Sequence, residues 1–409
     1  MVPRPATELP WPGFAAGPTR PPGGIRPVRE FVLKVQSRCN LDCDYCYVYH
    51  LADQSWRGQP RRMSPEVVTA LADRLAEHAR AHHLDYVTVR LHGGEPLLGG
   101  PDALVEVVAI LRSRLAPCRL VASVQTNGVL LDDAAAQTLA SAGIGIGISI
   151  DGDRDANDLH RRFRDGRSSY DAVVTAIELM GQPRLRDYFS GVLCTVQLAA
   201  DPLTVWHSLR ELGVPALDFL LPHGTWDRPP PQLSARAGRT PYADWLVPIF
   251  DDWFDADERP CEIRIFEDLM HLILGGTTCY ESFGLDPVTL VVIETDGTYE
   301  QVDSMKAVGE GAAATGLDVF RHSLDEVSAL PAMVARQLGE SALAPECTAC
   351  GQVRVCGGGL YSHRYRPGNG FRNPSVYCAD LFALISHIET RVADALAARG
   401  TSLAAVRAG

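Results

Sequence analysis

Short apolar, β-branched runs recur along the chain at 30–36, 86–92, 120–125, 145–150, 189–197 and 217–221. Between them lie stretches whose apolar positions return every three to four residues, at 64–82, 102–115, 132–142, 170–180, 202–212 and 242–254. The first pattern predicts buried strands and the second amphipathic helices. Ser64-Pro65-Glu66 supplies an N-cap with proline at the first helical position. Gly143, Gly181 and Gly213 stand just past three helix ends, where a left-handed backbone is expected. Strand then helix, six times over, predicts a parallel sheet with right-handed crossovers. Six units fall short of the eight that close a full barrel, so an α/β fold with a partial (β/α)6, TIM-like barrel is the expected architecture. A doubly wound open sheet is the structural alternative.

The repeat occupies 28–258. Before it, residues 1–27 are rich in Pro and Gly and read as an irregular, loosely packed arm. After it, a strand pair at 290–294 and 297–302 and a Cys- and Gly-rich stretch predict a separate module over 259–380. A closing helix at 380–398 makes up most of the last segment, 381–409, read as a C-terminal helix.

Composition narrows the class. With 46% hydrophobic residues in 409, a large core is available. A formal net charge of −12 argues against a general nucleic-acid binder. No export signal or membrane-length apolar run is present, so a cytoplasmic protein without a membrane span is expected. The eleven cysteines then read as metal ligands or free thiols. Seven fall in two tight groups, while Cys118, Cys194, Cys261 and Cys279 are scattered and expected to be buried thiols.

Cys39, Cys43 and Cys46 follow the first strand directly. Three thiolates on a four-iron cubane leave one iron open to a substrate or cofactor. Zinc is the competing reading, with His50 as a fourth ligand. Gly93-Gly94-Glu95-Pro96 ends the second strand, Gln125-Thr126-Asn127-Gly128 the third and Ser149-Ile150-Asp151-Gly152 the fourth. Together with the cysteine loop these place polar turns on one rim, where β/α barrels assemble their active sites.

CNLDCDYC and GGEP resemble the cysteine signature and methionine-binding motif of the radical S-adenosylmethionine (SAM) superfamily. The resemblance spans about 31–378 and implies a SAM-binding 4Fe–4S cluster on Cys39, Cys43 and Cys46. It further implies that Tyr45 adjoins the adenine, that Gly93, Gly94 and Glu95 meet the SAM amino group, and that Ser149 meets the ribose. Asn127 joins this SAM-contacting set, and Arg161 is placed on the SAM carboxylate, with Arg162 not separable from it.

Cys347, Cys350, Cys356 and Cys378 suit either closed zinc or a fully ligated iron–sulfur cluster. Beside such a barrel they resemble a SPASM domain, implying one auxiliary 4Fe–4S cluster. A second is not expected: Leu360 stands where a further cysteine would follow, and DGTYEQVD carries none. The flanking text, including RRMSPEVV, VVIETDGTYEQVDSMKA and VCGGGLYSHRYRPGNG, resembles FxsB-type maturases. That implies a ribosomal precursor peptide as substrate, a cyclophane crosslink between an aromatic ring and a nearby β-carbon, and a reductant such as flavodoxin or ferredoxin. Alternatives are thioether or ether crosslinking, epimerisation, formylglycine formation, or a zinc-binding, non-enzymatic interaction protein.

Restoring aromaticity after ring addition needs a base. Asp303 is the expected one and Glu300 the second candidate. The stretch 222–262, with Trp226, Trp245 and Trp253, or the C-terminal module, is expected to receive the leader peptide.

Overall fold

The computed structural model describes residues 10–408 apart from 18, 22, 234–237 and 279. Its centre is one ten-stranded sheet. Strands β1 (Glu30–Gln36), β2 (Tyr86–Gly93), β3 (Arg119–Thr126), β4 (Ile144–Ser149), β5 (Phe189–Thr195), β6 (Ala216–Leu220) and β7 (Glu262–Ile263) run parallel in that order. Helices α1 (Pro65–Ala81), α2 (Pro101–Leu115), α3 (Asp133–Ser141), α4 (Arg154–His160), α5 (Tyr170–Met180), α6 (Pro202–Glu211), α7 (Pro241–Phe254) and α8 (Arg264–Ile273) connect and cover them. This is the partial β/α barrel that the alternating pattern predicts.

The strands alternate in a way that fixes what the barrel can hold. On β2, Val87, Val89 and Leu91 are buried in the main core, whereas His92 from the opposite face lines a central cavity. On β1, Phe31 and Leu33 are core residues, and between them Val32 lines a cavity. One face therefore packs the helices and the other carries polar groups inward, following the two-residue strand period. The Ser64 side chain accepts from the Val67 N–H, as expected, and Asp132 and Asp201 cap their helices likewise, accepting from the Ala135 and Thr204 N–H groups. Gly143 and Gly213 are left-handed, with φ of 64° and 65°. Gly181 is not: its φ of −69° keeps it helical, because the chain enters another turn there instead of a strand.

Two expectations about domains change. The second region is not separate from the barrel sheet. Strand β8 (Leu290–Ile293) pairs in parallel with β1, and β9 (Thr298–Glu300) and β10 (Ala314–Asp318) extend it antiparallel. The open edge of a partial barrel thus gains partners for its unpaired backbone groups. The arm is irregular but not loose where it is described. Trp11 and Phe14 are buried among Val302, Met305, Tyr361 and Tyr365, and Phe371 donates its N–H to the Pro10 carbonyl. Residues 1–9 lie outside the described residues.

The tryptophans also sort by packing. Trp245 and Trp253 are core residues, while Trp226 is partly exposed and donates its indole N–H to the Pro374 carbonyl. Of the three, only Trp226 is exposed. Among the described residues, no helix is long and apolar enough to cross a membrane.

Candidate active site

The loop after β1 carries Cys39, Cys43 and Cys46 onto the rim formed by the C-terminal ends of β1–β6. There the three thiols line a cavity of about 230 Å³ with Tyr45, Gly93, Gly94, Asn127, Ser149 and Arg161. Burial pushes the Cys39 thiol up to about 12 and the Cys43 thiol to about 11, and raises Cys46. Left alone these groups stay protonated, so a bound cation is what would make them thiolates.

His50 does not complete a zinc site, since its Nε2 pairs with Asp42 at 3.0 Å, partly exposed.

Close approach fixes the two glycines. A Cβ on Gly93 would sit 2.0 Å from the Gln36 carbonyl oxygen, and one on Gly94 2.0 Å from the Tyr49 hydroxyl. Glu95 departs from expectation. Fully buried, its carboxylate accepts from the N–H groups of Leu97 and Asn127 and from the Thr126 hydroxyl, at 2.7–2.9 Å. Its side chain clasps the β3 turn and does not line the cavity, leaving only backbone to face a ligand. Asn127 is held in turn: its amide donates to Asn40 Oδ1 at 2.8 Å and to Cys39 Sγ at 3.7 Å. Ser149 accepts from Gln125 Nε2 at 2.9 Å.

The arginine ambiguity resolves. Arg161 reaches inward and donates to the Tyr45 hydroxyl at 2.9 Å, while Tyr45 donates to Asp151 Oδ2 at 2.7 Å. Arg161 Nε is buried without a partner, an unused donor beside the cysteines. Arg162 instead binds the Asp158 backbone on the exposed side. Asp151 was visible only as part of a turn motif, and its role in fixing Tyr45 needed the fold.

A second cavity, about 350 Å³, adjoins the first through the shared residues Tyr47, Leu220, Leu221 and His223. Asp303 lies on its wall. Lys34 Nζ is 2.5 Å from Asp303 Oδ2, Tyr47 donates to the same oxygen at 3.2 Å, and Oδ1 has no partner. Burial would raise this carboxyl, but Lys34, with His92 and Lys306, holds it below the usual carboxylate range. Glu300 is a correction. It is buried against Lys306 Nζ at 2.8 Å, with Glu294 on the same ammonium at 3.1 Å, and lines neither cavity. At the end of β9 its carboxylate is held by Lys306. Lys34, Tyr47, His92 and His223 were missed by sequence reading. Their signal was faint: polar residues at inward positions of apolar strands, or aromatic neighbours of the third cysteine.

Cys347, Cys350, Cys356 and Cys378 line a third, smaller cavity with Pro374 and Phe382. Burial raises Cys356 to about 12 and also lifts Cys347 and Cys378. Cys194 and Cys261 are buried as expected and Cys118 is half-buried, while Cys279 lies outside the described residues.

Residues 33–195 match the model of the Radical SAM superfamily, and the match supports an enzyme that works with a 4Fe–4S cluster and SAM. The chain is 23% identical to a cysteine-type anaerobic sulfatase-maturating enzyme of Clostridium perfringens, over 86% of this chain and 94% of that one. It is 28% identical to a serine-type counterpart from Klebsiella aerogenes, over 84% of this chain and 82% of that one. Among solved structures it resembles native anSMEcpe with bound AdoMet, at a TM-score of 0.75 and 21% identity, covering 90% of this chain and 98% of that one. It also resembles Streptococcus suis SuiB bound to precursor peptide SuiA, at a TM-score of 0.55 and 13% identity, covering 87% and 76%. Both likenesses are of fold, and the C-terminal cysteine-rich region belongs to the shared architecture.

Proposed function

We propose that this enzyme oxidises the β-carbon of a residue in a peptide, with formylglycine formation as the reaction. The observation that carries a peptide oxidation is the Asp303 carboxylate. It is kept ionised by Lys34, with one free oxygen, on the wall of a chamber that opens behind the cysteine triplet. Likeness to both cysteine- and serine-type sulfatase-maturating enzymes over most of the chain favours an aldehyde product.

When bound, the cluster and SAM supply a hydrogen-abstracting deoxyadenosyl radical, generated by one-electron cleavage. Cys39, Cys43 and Cys46 would hold that cluster, and Arg161 Nε and the Gly93–Gly94 backbone would orient SAM. Tyr45, braced by Asp151, would close the adenine side. The substrate residue would reach the shared wall between the cavities, near Tyr47 and His223. Turning a serine hydroxyl into an aldehyde removes two electrons and two hydrogens: one hydrogen leaves the β-carbon and one leaves oxygen as a proton; from a cysteine the same losses, with the proton leaving sulfur, give a thioaldehyde that water hydrolyses to the aldehyde with release of hydrogen sulfide. Asp303 would accept that proton. Cys347, Cys350, Cys356 and Cys378 would hold an auxiliary cluster able to take the remaining electron. A flavodoxin or ferredoxin is the reductant this chemistry calls for, and thiol-held clusters fit a reducing cytoplasm.

Crosslinking of a precursor peptide to a cyclophane is the second reading. The FxsB-like motifs and the likeness to SuiB with its precursor peptide favour it. It uses the same base and the same electron acceptor. Anaerobic incubation with the Kp18Cys peptide, which a solved relative binds, followed by a hydrazide probe, tests the first reading. Wild type is expected to give a hydrazide-reactive peptide. Asp303→Asn should lower that yield about 10²–10⁴-fold while deoxyadenosine still forms. Full yield from the variant would remove Asp303 from the mechanism. A peptide from a neighbouring reading frame that loses two hydrogens without gaining an aldehyde would favour the crosslink.

A further inference from the structure

At the barrel end opposite the cysteine rim, three separate stretches of chain meet around one carboxylate oxygen. His78 and His82 lie one helical turn apart at the end of α1. Asp325 lies in the first turn of the short helix α9 (Leu324–Ser328), and Val28 precedes β1. His78 Nδ1 is 3.1 Å and His82 Nε2 2.7 Å from Asp325 Oδ1, with the two rings 4.5 Å apart. His78 is almost fully buried, and its Nε2 lies 3.1 Å from the Val28 carbonyl oxygen.

That last contact fixes the tautomer. A carbonyl only accepts, so His78 Nε2 must carry the proton, and in the neutral ring Nδ1 is a bare lone pair. The lone pair then points at a carboxylate oxygen, acceptor against acceptor. A cation seated between the three groups relieves it. The rest of the site is built accordingly. The Val28 carbonyl orients the buried histidine as outer carbonyls and carboxylates orient metal-bound imidazoles. His78 and His82 have the one-turn spacing of helical histidine pairs that bind zinc. His82 and Asp325 are open enough to leave a coordination position for water.

We propose that His78, His82 and Asp325 hold a divalent transition-metal ion of the zinc class. The ion clamps α1, the segment entering β1 and α9 together. Two nitrogens and one oxygen suit zinc, at metal–ligand distances of about 2.0–2.2 Å. The atoms already lie within 4.8 Å of one another, and tetrahedral placement asks for roughly 3.3 Å. His82 caps a helix end and Asp325 sits on a five-residue helix, so the small opening falls on the least constrained parts. The N-terminal end of a barrel is where stability rather than chemistry is built, so the ion is structural and separate from both cysteine groups.

The experiment uses anaerobically reconstituted holoenzyme, as wild type, His82→Asn and Asp325→Asn. Each is incubated with excess Zn²⁺, desalted, and analysed for zinc and iron. Wild type should retain one more zinc per chain than either variant, with iron content and deoxyadenosine formation the same in all three. Its zinc-edge absorption should fit nitrogen and oxygen neighbours without sulfur, and only wild type should gain melting temperature on adding Zn²⁺. Equal zinc in the three proteins, or a wild-type zinc shell made of sulfur, overturns the proposal and leaves an imidazolium–carboxylate contact. Wild type alone decides the matter if a variant misfolds.

Discussion

The two cysteine groups reach their positions by different means. The first rides on the end of a strand inside a continuous parallel ladder, and its neighbours arrive from the ends of β2, β3 and β4 by simple repetition. The second sits on helices of only four residues, Pro345–Thr348 and Val353–Cys356, on the turn between them that carries Cys350, and on the first residue of the helix Cys378–Ala398. No ladder aligns these thiols. Instead, buried Arg364 donates to the carbonyls of Gly357 and Gly359 at 2.6–3.1 Å. Gly357, left-handed, passes so close to Gly284 that a Cβ would sit 1.7 Å from its carbonyl oxygen. Regular structure builds the rim, and side-chain hydrogen bonds with close backbone contact build the second pocket.

The sharpest way to break this comparison is to remove one thiol from each group. Cys43→Ser should abolish deoxyadenosine formation altogether, because the cavity that would take SAM loses its cluster. Cys350→Ser should leave deoxyadenosine formation in place and eliminate modified peptide. Iron analysis and product chromatography on the two variants read both outcomes. Loss of deoxyadenosine in Cys350→Ser would mean that the pockets are not independent.

This difference also explains what the sequence could disclose. The strands and helices of the barrel were legible because the burial period is imposed by the sheet. Pairing of β1 with β8 was not, since nothing local in LVVI states which edge it joins. Cysteines pointed to both thiol-lined pockets because few other roles use thiols at such spacing. Asp303 was visible only through a motif, and its partner Lys34 looked like one polar interruption in an apolar strand. Glu95 looked like a ligand and is a clasp: a carboxylate accepting from two backbone N–H groups cannot be told from a free one by sequence. Loose packing of the arm was inferred from Pro and Gly content, which says nothing about Trp11 and Phe14 finding a second core.

A middle-sized effect is expected at Arg161. Its unpartnered Nε and its bond to Tyr45 place a planar donor beside the triplet. Arg161→Lys keeps the charge and loses the fork. A loss of roughly 1.5–3 kcal/mol for a hydrogen bond to a charged group corresponds to about 10–100-fold. The KM for SAM should rise by that factor, with iron content unchanged. An unchanged KM would separate Arg161 from SAM and leave it as a brace for Tyr45 alone.

The smallest effect on activity is expected at Glu300, and it sharpens the contrast between groups that line the chamber and groups that do not. Glu300 is buried on Lys306 and lines neither cavity, so Glu300→Gln should leave peptide oxidation unaltered, whereas a catalytic carboxylate would not tolerate the change. Stability supplies the second readout. Burial raises the Glu300 carboxyl to about 8, against the pull of Lys306. An acid whose folded pKa is raised holds its proton more tightly when folded, so wild type loses stability as pH climbs from about 4.5 and stops losing it above about 8. Glutamine has nothing to titrate. The stability of Glu300→Gln relative to wild type, measured by urea unfolding, should therefore grow between pH 5 and 8 and level off above. A flat difference across that range would show that Lys306 fully compensates the buried charge. A falling one would show that Glu300 is ionised at acid pH and anchors Lys306 more strongly than Glu294 does.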